Sequence, residues 1–175
     1  TISYNLFDGA LIDSATLPVI VAPVNDQPAF TLTGNVVVNE DSGAANIMGF
    51  VTSLTLGPAN EGTQGVDTWV VSNDNNDLFI VPPSISMGVL SFVPQFNANG
   101  VANISVHVRD DGGIDNGGED TSIVQQFTIT LTPRNDIPTA DDISISTNED
   151  TPVNGVVLGD DIDGDTLSYS VTGPA

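Results

Sequence analysis

The sequence has no cysteine and no lysine, one histidine, and only two arginines, Arg109 and Arg134, against 23 acidic residues. Without cysteine, a disulfide framework, a thiolate metal site and a thiol nucleophile are all excluded. The shortage of bases leaves a formal net charge of -21, which repels phosphate backbones and anionic membranes alike. Nucleic acid and lipid surfaces are therefore poor partners, and cations are good ones. No apolar run approaches the roughly 20 residues that a membrane helix needs, so membrane insertion is not expected. No signal peptide opens the sequence, and an export signal is expected outside these residues. The lone histidine limits catalysis too: a Ser-His-Asp triad would have to use His107, which alternates with Val106 and Val108 and reads as a surface residue of a strand. The chain is read as non-catalytic. A charge of this sign also serves plain solubility in a salty medium, so its distribution matters more than its sum. Nine of the 23 acids fall within residues 136–175, with no base among them.

What the sequence does have is alternation and repetition. Ile104, Val106 and Val108 alternate with Ser105, His107 and Arg109, and Phe127, Ile129 and Leu131 alternate with Gln126, Thr128 and Thr130, which is the pattern of half-buried strands. Gly, Pro, Asn and Asp interrupt these runs at turn positions, and no long helical face is present. Strands are expected near 29–33, 35–39, 46–52, 67–72, 77–81, 88–93, 101–109 and 122–132, enough for an all-β, two-sheet sandwich of immunoglobulin-like size. Asn25-Asp26-x-Pro28 recurs as Asn135-Asp136-x-Pro138, and Asn39-Glu40-Asp41 recurs as Asn148-Glu149-Asp150, so the chain carries an internal repeat of about 110 residues. Residues 25–135 then form one complete repeat. Residues 1–24 match the last two strands of such a repeat, and residues 136–175 match its first strands, expected at 143–145, 156–158 and 167–171.

The residues that carry chemistry are loop carboxylates and amides. In "GDDIDGDT", Asp161, Asp163 and Asp165 stand at alternate positions beside Asp160. Like charges this close destabilise one another unless a cation intervenes, and hard oxygen donors in a glycine-containing loop suit calcium better than zinc or copper. A solvated acidic loop is the alternative reading. The spacing is not that of an EF-hand, since Gly164 comes before the third acid rather than after it and Thr172 stands where the closing glutamate belongs. Nor does "DDGGIDNGGED" fit the glycine-rich calcium nonapeptide, because Ile114 occupies the glycine position before the aspartate; it reads as a polar hairpin loop, with Asp110 and Asp111 at its strand end set apart. Trp69, inside "DTWVVS", reads as sandwich core rather than as a platform for sugar stacking.

Taken in order, a Glu in "NED" near the start of a module, a D-x-D-G-D in a following loop, a strand-end Asp after "VHVR" and an N-D-x-P linker resemble the cadherin repeat. The wording of "VNDQP", "VNEDSGA", "GPANEGTQ" and "NANGVANISVHVRDDGG" is similar to cadherin-like and immunoglobulin-like tandem repeats of large bacterial surface adhesins and secreted multidomain proteins. The resemblance spans essentially the whole chain. It implies an immunoglobulin/cadherin-like Greek-key sandwich, an extracellular location, and calcium ions at the junctions between modules. Carried over residue by residue, the second junction has Glu40, Asn135 through its backbone carbonyl, Asp136, Asp161 and Asp163. The first has Asn25, Asp26 and Asp110, with its upstream Glu falling before Thr1 and its D-x-D replaced by "GPANEG", where Asn60 and Glu61 stand as substitutes. Pro23 and Pro133 occupy the place of the first linker aspartate of cadherins, and "PQFNANG" occupies that of their L-D-R-E motif, so one or two ions per junction are expected rather than three. The implied role is that of a spacer or adhesion repeat whose partners are adjacent repeats, a homotypic copy or a carbohydrate. The alternative is a polysaccharide- or protein-binding accessory module of a secreted hydrolase, which an exposed aromatic row beside Trp69 or Tyr169 would favour.

Overall fold

The computed structural model describes residues 1–173; residues 174 and 175, the last two of the third expected segment, lie outside the described residues. The alternating runs fold as strands: β1 (Ile2–Phe7), β2 (Ile12–Leu17), β3 (Ala29–Leu32), β4 (Val36–Asn39), β5 (Ala45–Ile47), β6 (Val51–Thr55), β7 (Val66–Asn73), β8 (Phe79–Ser86), β9 (Val89–Pro94), β10 (Gly100–Asp110), β11 (Gln125–Thr132), β12 (Thr139–Ala140) and β13 (Gly159–Asp160). Three single-turn 3-10 segments, at Ala59–Glu61, Asn76–Leu78 and Asp115–Gly117, are the only helical elements among the described residues. No helix among these residues is long and apolar enough to cross a membrane. The chain is all-β and sandwich-like. A four-stranded sheet runs β4-β11-β10-β7, with β4 parallel to β11, and a three-stranded sheet runs β5-β9-β8. The pairs β1-β2, β3-β6 and β12-β13 complete the ladders.

Two compact units share these strands, and β7 and β10 run through both. The first gathers residues 1–32, 51–70 and 107–124; the second gathers residues 33–50 and 71–106 and those from 125 onward. In the second, strand alternation builds the core directly. Strand β9 buries Leu90, Phe92 and Pro94, β10 buries Ala102, Ile104 and Val106, and β11 buries Phe127, Ile129 and Leu131, each with its intervening residues turned outward. Phe50 is fully buried and its ring lies 4.8 Å from that of Phe127, while Phe79 meets Phe92 edge-on at 5.7 Å. In the first unit Phe30 of β3 is buried and meets Trp69 of β7 edge-on, with centroids 5.0 Å apart. Trp69 thus packs as the alternation of its strand implies.

Two departures from the expected strands have local causes. The run 46–52 is not one strand: it breaks at Gly49, whose φ of +67° suits glycine and turns the chain. Strand β5 then pairs with β9 and β6 pairs with β3, so a single apolar run serves two sheets. Strand β8 begins later than expected, after a 3-10 turn, and carries Pro82 and Pro83; it is an edge strand with two register shifts, where missing N–H donors are tolerated.

The third departure is larger. The expected strands 143–145, 156–158 and 167–171 do not form. The segment is held by the two-residue ladder of β12 with β13, a bond from Asp141 N to Leu158 O (3.0 Å), and local bonds such as Asp136 N to Asp163 Oδ2 and Thr139 Oγ1 to Asp160 O. A strand needs a neighbour for its backbone groups and a facing layer for its side chains, and here the ladder stops at two residues a side. Ile143, Ile145, Val156 and Leu158 remain exposed in consequence.

The fully buried Phe50 makes a testable point of weakness. Phe50→Ala should cost about 3–5 kcal/mol in denaturant unfolding, whereas Met87→Ala, at a fully exposed turn, should cost less than about 0.5 kcal/mol. Comparable losses for the two would contradict the assigned core.

Candidate functional site

Asn25 is the centre of the first cluster of polar groups. It is buried, and its amide nitrogen donates toward Asp110 Oδ1 (2.9 Å), Gly113 O (3.1 Å) and Glu119 O (3.0 Å), while Gln64 Nε2 donates to its Oδ1 (2.7 Å). An amide has two hydrogens, and here three oxygens surround them, so acceptors outnumber donors. The excess is greater still: Asp110 Oδ2, Glu61 Oε2 and Gln64 Oε1 are shielded from water and have no hydrogen-bond partner. Glu61, at the end of the short 3-10 turn after Pro58, turns its other oxygen to the backbone N–H of Asp26 (3.1 Å). Asn60 is exposed, so of the two residues expected to replace the D-x-D motif it is Glu61 that reaches the linker.

The loop 110–120 is more than a polar hairpin. It closes around the linker, with Glu119 N donating to Asn25 O (3.0 Å) and Gly112 N to Asp110 Oδ1 (3.0 Å). A side chain at Gly112 would collide with the Asn25 carboxamide, and one at Gly118 with Asn25 and the Gly113 carbonyl. The paired glycines in "DDGG" and "NGGED" are the sequence signal for this close approach, and they are unremarkable until the partner is known. At the outer rim of the loop Arg109 and Asp120 form an ion pair (2.7 Å), which holds the Asp120 carboxyl below its ordinary range.

The second cluster gathers around Glu40 and Asp136. Glu40 is 1% exposed; its Oε1 accepts from Arg134 N (2.8 Å), and its Oε2 is buried without a partner. Asp136 donates its backbone N–H to Asp163 Oδ2 (2.7 Å), and its own Oδ2 is likewise buried and unpartnered. Asp161 Oδ1 accepts from the N–H groups of Asp163 (3.0 Å) and Asp165 (3.2 Å), which coils the acidic loop. Burial, and after it the negative charges of Asp41, Asp163, Glu40 and Asp161, raise the Asp136 carboxyl above its ordinary value. The structure therefore brings Glu40, Asp161 and Asp163 to Asp136 and adds Asp41, whose Oδ1 accepts from Asn97 N (3.2 Å). Asn135 is exposed and donates its side chain to the Asp136 carbonyl (3.1 Å). Asn97, Asp136 and Asp161 also line an open cleft of about 490 Å³.

The two clusters repeat one arrangement. At each linker the aspartate of N-D-x-P gives its N–H to a carboxylate of the following loop, Glu61 for Asp26 and Asp163 for Asp136. Neither cluster is a finished metal centre: among the described residues no three side chains of His, Asp or Glu are arranged around a common metal position. Part of the reason is visible, since Glu40, Glu61 and Asp163 each commit one oxygen to a backbone N–H. Asp26 itself stays exposed, and sequence reasoning passed over Asp41, Gln64 and the loop carbonyls of Gly113 and Glu119.

No family model, curated protein or solved structure matches this chain. The geometry nonetheless yields a prediction about charge. Because the Asp136 value is raised in the folded state, its contribution to stability is present below the ordinary carboxylate value of 3.8 and is lost as pH rises through the folded value. In chelator at neutral pH, Asp136→Asn should therefore raise the melting temperature, and the advantage should shrink as pH falls toward 4. A variant that melts below the parent at neutral pH would contradict the assigned repulsion.

Proposed function

We propose that this chain is a non-catalytic, extracellular cadherin-like module that binds calcium at its inter-repeat junctions and serves as a spacer or adhesion repeat of a large surface or secreted protein. The observation that carries this reading is the set of buried carboxylate oxygens without donors: Glu40 Oε2 and Asp136 Oδ2 at one junction, Glu61 Oε2 and Asp110 Oδ2 at the other. A buried anionic oxygen with no partner is costly, and a chain with two arginines has almost nothing of its own to offer it. Calcium supplies the missing charge and accepts six to eight oxygen donors in flexible geometry, which carboxylates, amide oxygens and backbone carbonyls provide here. Zinc and copper favour imidazole or thiolate, and the chain has no cysteine and a single histidine.

On this reading each junction displays a different half of one site. Glu40, Asp136, Asp161 and Asp163, with Asp41 added, give the upstream carboxylate and the acidic loop. Asn25, Asp26, Glu61 and Asp110 give the linker and the strand-end carboxylate. Asn135 contributes its backbone carbonyl. Bound calcium would neutralise the carboxylates and hold the linker to the strand ends, turning a hinge into a stiff joint, and the Greek-key sandwich with its repeat of about 110 residues would be the unit so joined. The accessory-module alternative has less in its favour, since Trp69 packs edge-on against Phe30.

Extracellular calcium modules bind at about 0.1–1 mM, and a ligand at a hundred times its dissociation constant adds about 2.7 kcal/mol per site to native stability. Titration calorimetry on chelator-treated protein should show calcium binding in that range, and thermal melts should rise on adding the ion at constant ionic strength. Asp161→Asn with Asp163→Asn should remove the response of the second junction and leave that of the first. Identical melts in calcium and in chelator would overturn the proposal.

A further inference from the structure

The Asn25 carboxamide sits in a cage of oxygens. Its nitrogen lies 2.9 Å from Asp110 Oδ1, 3.1 Å from the Gly113 carbonyl and 3.0 Å from the Glu119 carbonyl, and Gln64 Nε2 donates to its oxygen at 2.7 Å. Three acceptors admit only the nitrogen end of an amide: turned over, Asn25 would set its own oxygen against all three. The backbone at this residue is held as well, since Glu119 N donates to the Asn25 carbonyl (3.0 Å). Both oxygens that Asn25 could offer a metal ion are thus engaged within the chain. The surroundings supply no cation of their own. Asp110 is 2% exposed, its Oδ1 also accepts from Gly112 N (3.0 Å), and the adjacent Arg109 is committed to Asp120.

Distance decides what such a cage fits. Calcium holds its oxygens at about 2.3–2.6 Å, whereas N–H···O bonds run at about 2.7–3.2 Å. The three oxygens here stand 2.9–3.1 Å from the nitrogen, a spacing made for an N–H donor and too wide for the ion. The loop is shaped around this side chain. A Cβ at Gly118 would stand 2.9 Å from the Gly113 carbonyl and 3.0 Å from Asn25 Cβ, and one at Gly112 would overlap the carboxamide itself, so the approach needs glycine at both positions.

We propose that the Asn25 amide is an internal stand-in for a cation. Its N–H groups bring to Asp110 and the two loop carbonyls the partial positive charge that an ion would otherwise supply, and residue 25 is fastened to the loop 110–120 without metal. Asn25 is then a positioning residue that limits what the first cluster binds, and not itself a metal ligand. In one further step, which rests on the calcium reading, the oxygens left for an ion are Glu61 Oε2, Gln64 Oε1 and Asp110 Oδ2, all shielded from water and unpartnered. The fastening does not depend on that step. Emptied of its amide, the cage suits an ammonium ion, which donates to oxygen at nearly the same distances.

Two measurements in chelator test this without calcium. In the unaltered chain, the side-chain amide protons of buried Asn25 should exchange with solvent at least about tenfold more slowly, by NMR, than those of exposed Asn60. Asn25→Ala removes the amide and leaves the cage. It should melt below the parent in tetramethylammonium chloride, and ammonium chloride at the same ionic strength should recover at least about a third of that loss, measured against the parent in each salt. Asn25→Leu fills a similar volume with no donor, so its loss should be the same in both salts. Equal exchange at Asn25 and Asn60 would overturn the proposal, whether or not the alanine variant folds. So would a loss in the alanine variant that ammonium leaves untouched, or one that ammonium repairs equally in the leucine variant. Adding calcium to the unaltered chain should leave the Asn25 protons as slow as before; faster exchange would mean that the amide turns its oxygen to the ion, and would overturn the proposal as well. None of these results requires calcium to raise the melting temperature, so failure of the calcium reading would not carry this one with it.

Discussion

A chain with 23 acids and two arginines cannot neutralise itself, and where its carboxylates go shapes the structure. One ion pair, Arg109 with Asp120, is present among the described residues. The other well-held acids turn to N–H groups instead. Asp8 draws on the N–H groups of Leu11 and Ala10, and Asp74 on the side chain and backbone of Asn103; both have their carboxyls lowered by those bonds. Asp161 collects the N–H groups of Asp163 and Asp165, Glu40 takes that of Arg134, and Glu61 that of Asp26. Donation from the backbone stabilises a carboxylate without a counter-ion, but it binds only one of the two oxygens in Glu40 and Glu61. The second oxygen in each is buried and unpartnered, and that imbalance is the basis of the calcium reading.

Alternation made most of the sandwich legible. Strands β9, β10 and β11 bury the residues that a period of two selects, because each faces a core on one side only. Where reading failed, the cause was non-local. Residues 143–147 have the pattern of β4, but β4 is a strand because β11 lies beside it, and that partner is more than 90 residues away in the chain. The division of 46–52 between two sheets hinged on one glycine with positive φ, which composition alone does not distinguish from an ordinary strand glycine.

The candidate site was legible in the same uneven way. Asn25 and Asn135 are identical in the repeat, yet one is buried among three oxygens and the other is exposed. Asn25 is buried because residues 110–120 enclose it. Carboxylates could be picked out by type and spacing; Gln64 and the carbonyls of Gly113 and Glu119 could not, since amides and backbone groups become donors or acceptors of note only once folding has placed them.

The bonds around Asn25 also have a meaning in time. Its partners Asp110, Gly113 and Glu119 lie 85 to 94 residues further along the chain. Contacts of such separation close late, after the entropy of a long loop has been overcome by the strands in between. Asn25 is thus secured only when the loop 110–120 is in place. During synthesis, the bonds that hold residue 25 could not form until residues 110–119 had emerged, so this end of the fold would stay slack until nearly all of the strands between had appeared.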